Sequence, residues 1–293
     1  MVVIDRASKF KEYLNTKDAF RGIPVMFKGL RFTEPGNLDN LWGLSLYADT
    51  IFSDCYFKDI EYEDTGSSSF ALTVKGDAVH FINCKMDNFY PKFLVYRQND
   101  FYSISLKGVT NNNAIEFGTN LNTASIASSN IGKVIFDGAV NSDILIMDSS
   151  LEEIEFKSFE TLFNNNNFQI IGSNVQRILI GNSYFKEINR ESKTIDSLLN
   201  VPKEKVFVSS IRFNESIMGG IDLSRLEVTQ GITFSRCNMS GFVFPEEPIR
   251  GKLEGGISIT ISQCSGLDEM VLPRGINLFR LSNVPHIYSL IGV

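Results

Sequence analysis

The sequence predicts an all-β fold, a right-handed parallel β-helix (a solenoid) closed at its start by an α-helical cap. Three observations carry that reading. Between Ile126 and Ile188, pairs of apolar or small residues spaced two apart return on a beat of five: Val134 and Phe136, Ile144 and Ile146, Ser149 and Leu151, Ile154 and Phe156. After Asn164-Asn165-Asn166-Asn167 the beat resumes with Ser173 and Val175, Ile178 and Ile180, Ser183 and Phe185. Spacing by two places both side chains on one face of a strand, and the residues between pairs turn a corner, as the coils of a solenoid do around one apolar core. Second, one phrase recurs far apart in the chain: Phe52-x-x-Cys55-x-Phe57, Phe81-x-x-Cys84-x-Met86, Phe234-x-x-Cys237-x-Met239 and Ile261-x-x-Cys264. Its Cys shares a slot with Ser149, Ser173 and Ser183, a slot that wants a small, buryable side chain. Third, 24 Phe stand against a single Trp, the usage expected of aromatic ladders inside a stack of coils.

In chain order, residues 6–20 carry Phe10, Tyr13, Leu14 and Phe20 at helical spacing, with Asp5 as the expected N-cap. An open first coil needs a cover, and an amphipathic helix supplies one, so residues 1–24 read as the cap and 25–293 as the β-helix domain. Pro35-Gly36 marks a turn, 63–69 a loop, and Pro91 a break. Asn111-Asn112-Asn113 reads as a further turn, because Asn tolerates left-handed backbone and bonds to its own chain. Residues 189–205 drop the beat, and Ile195, Leu198 and Leu199 suggest a short amphipathic helix on an excursion from the wall. A second excursion covers 245–254. The chain beyond Asn277 is rich in apolar residues, among them Leu278, Phe279, Leu281, Ile287 and Leu290, and a homodimer through the C-terminus is the expected way to cover it.

The bulk numbers narrow the function. Net charge is −6 over 293 residues, too acidic for a direct nucleic-acid binder, which needs a basic face. No stretch approaches the roughly 18 apolar residues of a membrane span, and no secretory leader is read at Met1. A cytoplasmic protein with reduced thiols is expected. The four Cys form no Cys-x-x-Cys pair and the two His have no ligand or triad partner at suitable spacing, so no catalytic residue, metal site or cofactor is assigned.

At Cys55-Tyr-Phe57-Lys-Asp, Cys84-Lys-Met86-Asp-Asn, Ile221-Asp-Leu223-Ser-Arg and Cys237-Asn-Met239-Ser-Gly the chain resembles the pentapeptide-repeat family, as a degenerate member. The Phe-x-x-Cys phrases also resemble the coils of wider β-helices such as pectate lyases and phage tailspikes. The first resemblance implies a non-enzymatic interaction protein, in one version an acidic rod that imitates duplex DNA. The second implies carbohydrate binding or cleavage, which stays as the alternative. A protein partner is expected, met by Asp148, Glu152, Glu153 and Glu155 on the wall or by Ile195, Leu198 and Leu199 on the excursion, because loops on a rigid scaffold commonly carry recognition.

Overall fold

Burial alternates residue by residue along the strands. In Tyr102–Lys107, for example, Tyr102, Ile104 and Leu106 are buried while Ser103, Ser105 and Lys107 face outward. A strand with one apolar face is stable only when that face meets others in the same phase, and stacking coil on coil provides this. In a computed structural model, which describes residues 1–16, 21–32, 44–46, 48–58, 70–74, 76–87, 91–95, 102–117, 121–137, 143–158, 167–180, 206–218, 226–240, 257–266, 269–272, 276–284 and 289–292, the chain is a parallel β-solenoid. Twelve strands, from Val2–Ile4 to Ile276–Ser282, pair in parallel in chain order as a first sheet. A second sheet of 11 strands runs beside it, and Glu269–Leu272 with Ser289–Gly292 forms a small third one. In an early coil the wall opposite the first sheet is made of two short strands, Lys85–Asp87 and Pro91–Val95; further on, the single strand Thr110–Phe117 pairs with both. Pro91 therefore opens a strand rather than breaking one, a place where its missing N–H costs no ladder bond. None of the described helices is long and apolar enough to cross a membrane.

The register lines up one inward column through ten coils: Phe27, Phe52, Phe81, Leu106, Ile126, Ile146, Ile170, Phe213, Phe234 and Ile261. The rings stack at 5.0 Å (Phe27 on Phe52), 4.8 Å (Phe52 on Phe81) and 5.1 Å (Phe213 on Phe234). Each such side chain contributes about 2–3 kcal/mol by burial. Leu281 continues the column but is 41% exposed. Of the expected interior, Phe52, Phe57, Phe81, Ile144, Ile146, Leu151, Ile154, Phe234 and Met239 are buried; the side chains of Phe156, Ile178 and Ile180 lie outside the described residues.

The helix α1 (Ala7–Thr16) lays Phe10 and Tyr13 edge-on against the first coils, with ring centroids 5.7 and 5.3 Å from Phe27 and Phe10 5.5 Å from Phe32. It is the predicted cover, with one correction. The Arg6 carbonyl accepts the Phe10 amide at 3.1 Å, so Arg6 holds the N-cap position, and Asp5 instead holds Lys9 at 3.0 Å. Val2–Ile4, which no sequence signal marked, adds a strand to the first sheet before the helix.

Each coil turns the same corner. Eight non-glycine residues (Asp54, Asn83, Ser128, Asp148, Glu215, Arg236, Gln263, Asn283) and three glycines (Gly29, Gly108, Gly172) take positive φ between 49° and 64°, and the slot residue follows immediately. In the middle coils the slot is Ser129, Ser149, Ser173 and Ser216. Ser129 Oγ donates to the Ala127 carbonyl at 2.8 Å and accepts the Val109 amide of the preceding coil at 3.1 Å. The pattern repeats at Ser149, Ser173 and Ser216. Cys55, Cys84, Cys237 and Cys264 fill the slot elsewhere, buried and free of disulfides, each thiol donating to the carbonyl two residues back at 3.3–3.5 Å. The hydrogen bond to its stacked partner, Cys55 or Cys264, together with burial, pushes the Cys84 and Cys237 thiols up. Residues 63–69, 189–205 and 245–254 lie outside the described residues, as does Pro35-Gly36.

Two outcomes follow from this core. Leu151→Asp places a charge at a position with 0% exposure, a cost of several kcal/mol, on the order of the whole stability of a domain. It should abolish soluble expression; a normally folded variant would overturn the inward assignment. Alkylation of the native protein should label all four Cys poorly, and fast labelling before denaturant is added would show that the slot is open.

Candidate functional site

Asn111-Asn112-Asn113 is a bulge inside the strand Thr110–Phe117 rather than a turn. Asn111 is buried, and its Oδ1 accepts the Asn113 amide at 2.9 Å, while Asn113 Oδ1 accepts the Ala114 amide at 3.0 Å. The extra backbone is thereby satisfied within the bulge. One coil on, a Cβ at Gly132 would stand 2.9 Å from the Asn112 carbonyl oxygen, so only glycine fits beneath the bulge. Alongside the bulge lies a groove of about 480 Å³ on the second sheet, rimmed by Asn112, Asn113, Glu152 and Gln176.

Beside the groove runs an ionic column in register: Ala114, Lys133, Glu153 and Arg177. Lys133 Nζ lies 2.5 Å from Glu153 Oε1 and 2.7 Å from Glu155 Oε2, and Arg177 Nη2 donates to Glu153 Oε2. Glu153 is only 6% exposed. Burial alone would raise its carboxyl, but the bonds from Lys133 and Arg177 outweigh that and hold it below the usual glutamate range. Burial alone would likewise lower Lys133, and its two carboxylates push it up instead. Both groups are fixed in their charged forms. A general acid of sugar cleavage needs the opposite, a carboxyl raised toward neutral pH.

Of the residues expected at a site, Glu152, Glu153 and Glu155 share this wall, with Glu152 on the rim and the other two engaged by Lys133. Asp148 sits apart, at a left-handed corner, with Oδ1 2.6 Å from where a Cβ on Gly172 would be. Ile195, Leu198 and Leu199 lie outside the described residues. The cations Lys133 and Arg177 and the amide Gln176 were not singled out in the sequence, and Asn112 and Asn113 were read there only as part of a turn. A signal for the first two was present: Lys133, Glu153 and Arg177 each stand four residues after a slot serine, at Ser129, Ser149 and Ser173. Elsewhere, acids and bases also interleave. Asp87 holds Lys85 at 3.1 Å and accepts the Tyr56 hydroxyl at 2.9 Å, and Arg236 meets Glu215 at 2.6 Å. Among the described residues, no three His, Cys, Asp or Glu side chains gather as a metal-holding group. No family model matches the chain, and no curated protein or solved structure matches it either.

The lowered Glu153 carboxyl has a thermodynamic sign. A group with a depressed folded pKa adds stability that is present above its unfolded pKa and is lost as pH falls through the folded one. Glu153→Gln should therefore melt below the wild type at neutral pH, and the gap should close on acidification through and below the ordinary glutamate range. A gap that is constant with pH would show that the carboxylate charge is not what stabilises the column.

Proposed function

We propose that this chain is a non-enzymatic binding protein that holds a macromolecular partner against the wall of its second sheet. The observation that supports this best is the groove beside Lys133, Glu153 and Arg177, where the buried carboxylate is locked in ion pairs rather than tuned for proton transfer. A rigid wall with preset charges suits recognition, because little has to be ordered on binding. The acidic-mimic version draws less support: along this wall Glu153, Glu155 and Asp87 are each set against a cation, whereas mimicry of a duplex needs a continuous negative face. Descent from a pentapeptide repeat is part of the proposal. Val109, Ser129 and Ser149 are 20 residues apart, as are Cys264 and Val284, which equals four pentapeptides per coil.

The test is capture of partners from a cell extract by the immobilised chain, compared with a Glu152→Lys, Gln176→Lys double variant. Both positions are exposed on the groove rim, so the variant should melt like the wild type and lose its captured partner. Equal capture by both proteins would move the binding surface elsewhere, and multiple-turnover release of cleaved polysaccharide would make the protein an enzyme.

A further inference from the structure

We infer that the groove accepts a neutral, hydroxyl-rich chain, that is, a glycan without formal charge, lying along the solenoid axis. This rests on the binding reading above and specifies the chemistry of what is bound. The lining holds two cations, Lys133 and Arg177, and two carboxylates, Glu152 and Glu153, so its formal charges cancel. A phosphate or sulfate chain would need a surplus of cations, and a basic peptide would need a surplus of carboxylates. Among the described residues, the only apolar side chain in the lining is that of Ala114. Protein partners concentrate their binding energy in apolar and aromatic anchors seated in pockets, and nucleobases want aromatic platforms; this groove offers neither.

What it does offer is donors and acceptors side by side. The Gln176 carboxamide supplies both, Glu152 accepts, and the Arg177 guanidinium donates. A sugar hydroxyl donates and accepts at once, so it can bridge such neighbours. The spacing fits as well. The groove crosses four stacked strands, from Thr110–Phe117 to Asn174–Ile180, three steps that span about 14 Å at the strand spacing of a sheet. One pyranose unit of an extended chain is close to one such step in length, so that successive coils face successive sugars.

The experiment is calorimetric titration of the full chain with unbranched neutral glucose and mannose oligomers, from dimer to hexamer, and with a galacturonate oligomer as the charged counterpart. Affinity should rise up to about the tetramer, one sugar for each strand crossed, and then level off. The galacturonate should bind more weakly, and Glu152→Ala and Gln176→Ala should each weaken binding about tenfold, the loss of one good hydrogen bond, with unchanged melting. Absence of binding by every neutral oligomer, galacturonate bound as tightly as the neutral oligomers, or wild-type affinity retained by both alanine variants would each overturn the inference. A high-mannose glycoprotein, tested before and after endoglycosidase treatment beside a free mannan, separates a protein-borne glycan from a free polysaccharide. If the neutral oligomers fail while the double lysine variant still loses its captured partner, the ligand class falls and the binding reading stands. If the oligomers bind and capture is unaffected, the groove keeps its ligand and the captured partner docks elsewhere.

Discussion

Everything in this fold depends on the corner. At most corners, a residue in left-handed conformation is followed by a buried Ser or Cys, and the backbone of both is tied to the neighbouring coils. The amide of the left-handed residue donates to the next coil, as from Asp148 to Ile171 at 2.9 Å, and the amide after the slot donates to the coil before, as from Ser150 to Ser129 at 2.9 Å. For a non-glycine residue the left-handed conformation costs about 1 kcal/mol or more. Asn and Asp tolerate it best, yet Glu215, Arg236 and Gln263 adopt it too, because the bonds above and below fix the backbone. The corner sets the register, and the register sets every column that follows from it.

Two columns show what a fixed register brings. The inward column carries Phe toward both ends and Leu or Ile in the middle, and ring-on-ring stacking near 5 Å is matched to the strand spacing. The slot column carries Ser in the three coils of Ile126, Ile146 and Ile170 and in the next, which carries Phe213; the Leu106 coil has Val109 there. A hydroxyl satisfies a carbonyl of its own coil and an amide of the coil before, where a thiol is a weaker donor and acceptor. The outward column at Lys133, Glu153 and Arg177 obeys the same register. Opposite charges there stand one strand apart, which is the arrangement that stabilises neighbouring strands across a sheet.

The architecture was legible because burial forces a period on the chain. The pairs at Ile144 and Ile146 or Ile154 and the Phe-x-x-Cys phrase report inward positions, and those positions are inward in the structure. Val2–Ile4 was not legible, since three residues cannot show a period. The Asn run was misread because Asn serves turns and bulges through the same side-chain bonds, and only the neighbouring strand decides between them. The groove was hidden for a related reason. It is made by a bulge, by a glycine one coil away and by charges 20 and 24 residues apart, so no local stretch contains it. Counting from the slot serines aligns those charges, whereas reading carboxylates alone finds Glu153 without the cations that neutralise it.

The bond from each slot amide to the next slot hydroxyl spans 20 residues at Val109 and Ser129, 24 at Ser149, and 43 at Ser173. The ladder is unbroken across all three, so a coil more than twice the shortest length still closes on the same spine. Variation in loop length is thereby separated from variation in the stack. An insertion on the far side of a coil adds loop-closure entropy, which grows only slowly with length, and leaves the neighbouring coils in place. A lineage of such chains could acquire or shed whole segments within a coil while Gln176 and Arg177, on the strand that opens the longest of them, kept their place in the groove, so that new specificities arise by length change rather than by substitution in the core.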